Sequence, residues 1–92
     1  MYLVTQDGNA INLIMYKDIV HEEDKRELVT KVVAYSTHMD EIMLVAELPF
    51  TGGRTSLPKA KDLILQIAAL REGGRMINEQ GELVEISSRY QV

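Results

Sequence analysis

The 92-residue chain has no cysteine and no tryptophan, only two prolines, one phenylalanine and two histidines. Without cysteine there can be no disulfide, thiolate metal site or cysteine nucleophile, and nothing calls for an oxidising compartment. Long apolar runs are also missing. Runs such as residues 42–46 and 67–70 fall far short of the roughly 20 residues that a membrane span needs. The opening MYLVTQDG lacks the basic region and apolar stretch of a secretory leader, so no membrane association and a cytoplasmic protein are expected. Neither an internal repeat nor a low-complexity segment interrupts the chain.

Almost half of the residues are apolar and about a quarter are charged, with a net charge of −4. That balance belongs to a globular domain with a packed core, and the length allows one such domain, residues 1–92. The charge is unevenly placed. Residues 1–53 carry the acidic excess, whereas residues 54–75 hold Arg54, Lys59, Lys61, Arg71 and Arg75 against Asp62 and Glu72. A few basic groups near one helix on an acidic protein cannot neutralise many phosphates, which argues against nucleic-acid binding.

The periodicity predicts an α+β fold: an antiparallel β-meander of about four strands, one packed helix, and a short C-terminal strand or hairpin. Asp7-Gly8 suits the centre of a type I′ turn, which sets Val4 opposite Ile11 and Tyr2 opposite Leu13, all four on one face. A bulge or bend is expected over residues 14–16, and the strand resumes at Ile19 and Val20. Residues 21–27 are too polar for a core and read as a hairpin loop. Residues 28–36 read as a central strand with two apolar sides, Val29, Val33 and Tyr35 on one and Leu28, Val32 and Ala34 on the other. A strand over 42–48 ends at Pro49. Residues 57–71 are helical, with Ala60, Leu63, Ile64, Ile67 and Leu70 in the core-facing arc and Gly73-Gly74 as the stop.

The order VTQDG, INL, KDIVHEE and SLPKAKDLILQIAALREGGRMI resembles small uncharacterised proteins of Gram-positive bacteria and their phages, which open with a strand and Ser/Thr-Gln-Asp and end with an Ala-Lys/Leu-Ile helix. The resemblance covers residues 1–77 and departs at Phe50-Thr51-Gly52-Gly53-Arg54, which is inserted, and at Leu57-Pro58-Lys59, which replaces Glu-Glu-Arg. It implies an antiparallel sheet with one helix and a mobile-element origin. It carries no catalytic residue over.

The most chemical-looking stretch is LPFTGGRTSLPKAK, residues 48–61. As a P-loop it fails, with Arg54 in place of the lysine and Leu48 where the first glycine belongs. What remains is a candidate anion site at a helix N-terminus, formed by Gly53, Arg54, Thr55, Ser56 and Lys59. The simpler reading, a Gly52-Gly53 turn followed by a Ser56 cap, is favoured. His21 and His38 fall at opposite ends of a strand and cannot share a metal, so neither a metal nor a cofactor is expected. Ser36, His38 and Asp40 lie two apart in a turn, which gives no triad geometry. No enzyme is expected. Leu65, with Ala69 beside it, falls outside the core-facing arc and, with Val29, Val33 and Tyr35, makes a candidate interface. The expected function is a non-enzymatic protein–protein interaction module, homodimeric and with a further protein partner. The alternatives are a phage or mobile-element factor that inhibits a host protein, and a small-anion or nucleotide binder.

Overall fold

The computed structural model describes residues 1–38 and 41–86. The fold is α+β. Strands β1 (Tyr2–Val4) and β2 (Ala10–Asn12) form a hairpin, a 3₁₀ turn (Leu13–Met15) follows, and β3 (Tyr16–Asp24), β4 (Val29–Ser36) and β5 (Ile42–Pro49) make an antiparallel meander. Helix α1 (Leu57–Ala68) packs on the meander, and β6 (Arg75–Ile77) and β7 (Leu83–Glu85) form the C-terminal hairpin. The two hairpins join through a parallel β1–β6 pairing, which creates a second sheet of order β2-β1-β6-β7. No helix among the described residues is long and apolar enough to cross a membrane.

The N-terminal hairpin differs from expectation by one residue of register. Leu3 pairs with Ile11 and Val4 with Ala10, because the loop is closed by Thr5 and Asn9 rather than by Asp7-Gly8 alone. The Thr5 N–H donates to the Asn9 carbonyl at 2.8 Å, and the Asn9 N–H donates to Thr5 Oγ1 at 3.1 Å. A one-residue slip exchanges the faces of a strand. Leu3 and Ile11 are therefore core residues, and Tyr2 is exposed.

Two further corrections concern β3 and β4. Residues 21–24 are strand, not loop, and the turn occupies only residues 25–28. β3 lies at the edge of its sheet, where charged residues meet solvent and need no apolar alternation. Asp24 Oδ1 closes the turn by accepting from the Arg26 and Glu27 N–H groups, each at 3.0 Å. The Glu27 bond lowers the pKa of this carboxyl most; burial, next in size, opposes it, and the Arg26 bond with Lys31 at 3.8 Å keeps the group below its ordinary range. Leu28 adopts a φ of 56° and is exposed, so it does not share a face with Val32 and Ala34. Those two side chains, with Thr30, are fully buried beneath α1.

A bulge in the β4–β5 ladder leaves Val45 as an extra residue between Leu44 and Ala46. Val45, Ala46 and Leu48 are all buried, against Ala60, Leu63 and Ile67 of the helix and Leu3, Ile11 and Ile77 of the other sheet. Fully burying one such aliphatic side chain stabilises by about 1.5–3 kcal/mol. The helix ends at Ala68, earlier than expected, through bonds from the Ala69 and Leu70 N–H groups to carbonyls of the preceding turn, and Gly73-Gly74 lies beyond this cap.

Gly81 shows how closely the C-terminal hairpin fits the core. Its φ is +78°, and a Cβ there would lie 2.1 Å from Leu48 Cδ2, a side chain that is 1% exposed and has nowhere to retreat. Left-handed strain of about 1–2 kcal/mol and overpacking of about 1–3 kcal/mol act together. Gly81→Ala is expected to lower stability in urea titration by roughly 2–5 kcal/mol, whereas Gly52→Ala, whose Cβ meets nothing, should lose only the strain.

Candidate functional site

The glycine-rich stretch is a turn followed by a pinned helix start. Thr51 and Arg54 exchange two backbone hydrogen bonds of 3.0 Å across Gly52 and Gly53, whose φ values of 59° and 74° are those of a type I′ turn. Thr55 Oγ1 donates to the Glu23 carboxylate and accepts from the Leu57 N–H at 3.2 Å. It also lies 3.4 Å from the buried Thr30 hydroxyl. Ser56 occupies the cap position but makes no side-chain cap bond, and its hydroxyl donates instead to the Pro49 carbonyl at 2.5 Å. Lys59 Nζ donates to the Gln80 carbonyl. Of the candidate anion-binding residues, Thr55, Ser56 and Lys59 thus hold partners within the chain, while Gly53 and Arg54 stand exposed at the turn. The Glu23 carboxylate already lies near the helix N-terminus, where the partial positive charge favours it.

Among the described residues, no three histidine, aspartate or glutamate side chains converge as metal ligands would. His21 lies on β3 and His38 in the turn after β4. Asp40, the third residue of the Ser36, His38, Asp40 spacing, is outside the described residues. Ser36 Oγ accepts from the Glu41 N–H at 3.1 Å.

The meander has one face under α1 and another that no described element covers. The register writes the second face in rows. Val20, Val33 and Leu44 form one row, and Asp18, Tyr35 and Ile42 the next. On the other side of the apolar row, Glu22, Lys31 and Glu47 form a charged row, followed by Asp24, Val29 and Pro49. Tyr35 donates to Glu22 Oε1 at 3.1 Å, and Lys31 meets Asp24 at 3.8 Å. The Tyr35–Glu22 diagonal crosses the row of Val33, which is 5% exposed, while Ile42 remains 62% exposed. Val29, Val33 and Tyr35 therefore share this face as expected, but Leu65 is on the helix and Ala69 caps its end, across the sheet. The five do not form one surface.

Leu65, 68% exposed, instead stands at the rim of a groove between α1 and β3. One half is lined by Ile19, Val20, His21, Lys61, Ile64 and Leu65. The other half shares Ile19 and Ile64 and adds Leu13, Tyr16 and Lys17. Sequence reasoning passed over Val20, Ile42 and Leu44 on the sheet face and Lys17 and Lys61 in the groove. The partner strands set the rows, and the approach of helix to strand edge sets the groove, so neither is a local signal.

Tyr35 gives the outer face a pH signature. The hydrogen bond to Glu22, then its negative charge, raises the phenol above its ordinary value of 10.0. A raised acid favours the folded state while it is protonated; this contribution is complete below the unfolded value and disappears as pH rises through the folded one. In an NMR titration of the tyrosine rings, Tyr35 should have a midpoint above 10.0, and Glu22→Gln should lower it.

No protein-family model, curated protein or solved structure matches the chain.

Proposed function

We propose that this chain is a non-enzymatic protein–protein interaction module that works as a homodimer, its copies joined through the face of the meander opposite α1. The observation that carries this reading is the apolar row Val20, Val33, Leu44 beside the exposed Ile42. Apolar side chains occupy one part of the face, and the row Glu22, Lys31, Glu47 stands next to it. Two copies related by a twofold axis can overlay their apolar ends and leave the charged rows in water.

Magnitudes set the strength. Val33 is already covered and contributes little on association, so the gain comes from Val20, Leu44, Ile42 and the ring of Tyr35. At about 1.5–3 kcal/mol for each fully buried side chain, the partly exposed ones from two copies supply on the order of 10 kcal/mol. Association costs about 4–15 kcal/mol. The terms are comparable, and a concentration-dependent dimer follows. Light scattering on a size-exclusion column should give a mass approaching twice the chain mass at high micromolar concentration, and Ile42→Arg should yield monomer. A wild-type chain that stays monomeric throughout that range defeats the proposal.

A further inference from the structure

We propose that the groove between α1 and β3 receives an acidic extended peptide, which adds to the free edge of β3 as a further strand. The inference does not rest on the homodimer and uses residues of a different surface for its charge recognition.

The first support is position. The β3–β4 register places Ile19 and His21 toward the helix side and Val20 toward the outer face, yet all three line the groove. A depression bounded by both faces of a strand opens at its edge. β3 has one strand neighbour among the described residues, β4. An edge of this kind offers backbone N–H and C=O groups to an incoming strand. Opposite it, Ile64 and the exposed Leu65 provide an apolar wall for alternate side chains.

The second support is charge. In a protein of net charge −4, neither half of the groove is lined by an aspartate or glutamate, while Lys17 and Lys61 are both present. Neither lysine takes part in an ion pair among the described residues. Lys17, at the irregularity between Tyr16 and Asp18, lines one half of the groove, and Ile19 and His21 face the other half from the helix side of β3, with Lys61 beside His21. An added strand that matches them carries an acid near Lys17, an apolar residue against Ile19 and a second acid near His21 and Lys61. This is the occupant that the groove selects.

A second copy matches less well. Antiparallel pairing of β3 with itself about Ile19 sets Lys17 against His21, with no acid opposite either. Pairing about Val20 sets Lys17 against Glu23, which is held by Thr55, and places Asp18 against Glu22 twice.

The probe is an acetylated and amidated peptide of sequence Thr-Glu-Thr-Val-Thr-Glu-Thr, followed through the backbone amide shifts of the full chain. Shifts are expected at residues 17–21 and 61–65. Affinity should fall about tenfold for the double variant Lys17→Glu, Lys61→Glu and for the peptide with lysine in place of glutamate, the loss expected of two rim ion pairs. Both lysines are exposed, and retained shift dispersion will show that the double variant folds. Ile42→Arg should bind the peptide as the wild type does, which separates this proposal from the dimer. Absence of shifts at residues 17–21 with millimolar peptide overturns it, as does equal binding of the lysine peptide. Shifts of these same amides on diluting the protein alone would assign the groove to a second copy and also overturn it.

Discussion

Gln6 joins two sheets that share no strand. Its N–H donates to the Val45 carbonyl at 2.9 Å, and its side-chain carbonyl accepts from the Glu47 N–H at 2.7 Å, so both bonds fall on β5. Its side-chain amide donates to the Asn78 and Glu79 carbonyls at 3.3 and 3.2 Å, on the turn between β6 and β7. Each such bond contributes about 0.5–1.5 kcal/mol net, and leaving a buried partner unmet costs about 1–3 kcal/mol. The arrangement uses Val45 and Glu47, two apart on β5, which turn their backbone groups to the edge away from β4. It also distinguishes the two edges of the meander. Gln6 occupies part of the β5 edge, whereas among the described residues no strand pairs with the outer edge of β3, and there helix and edge leave a groove.

The helix start shows how a stretch rich in apparent chemistry can be consumed by architecture. A strand must turn sharply to become a helix above its own sheet, and Gly52-Gly53 makes that turn. The hydroxyls that follow fix the direction of exit: Ser56 binds back to the last residue of β5, and Thr55 binds across to β3. No buried side-chain nitrogen or oxygen among the described residues lacks a hydrogen-bond partner.

Much of the fold was legible because it rests on local periodicity. The core arc of α1 emerged from the spacing of Ala60, Leu63, Ile64 and Ile67, and β4 was recognisable as central because it is apolar on both sides. The rest depended on information that a short window does not hold. The hairpin register turned on whether Thr5 would close a longer loop, and β3 looked like a loop because an edge strand with three acids at its end has no apolar alternation to display. The outer face was half legible: Val29, Val33 and Tyr35 were placed together from parity alone. Val20, Ile42 and Leu44 joined them only through cross-strand register, and Leu65 proved to belong to a different surface.

The parallel pairing of β1 with β6 also imposes an order of events. Leu3 meets Arg75 only after a loop of about 70 residues closes, an entropic cost of about 4 kcal/mol before the constant term, whereas the meander closes through short turns. Contacts so distant in sequence slow folding, and they reward the chain only once both hairpins are in place. The meander and helix can therefore gather first, with the terminal sheet docking afterwards. On unfolding the sequence reverses: the β2-β1-β6-β7 sheet is the unit suited to open by itself, and with it Gln6 would release β5, so that the protected edge of the meander becomes, transiently, a second open one.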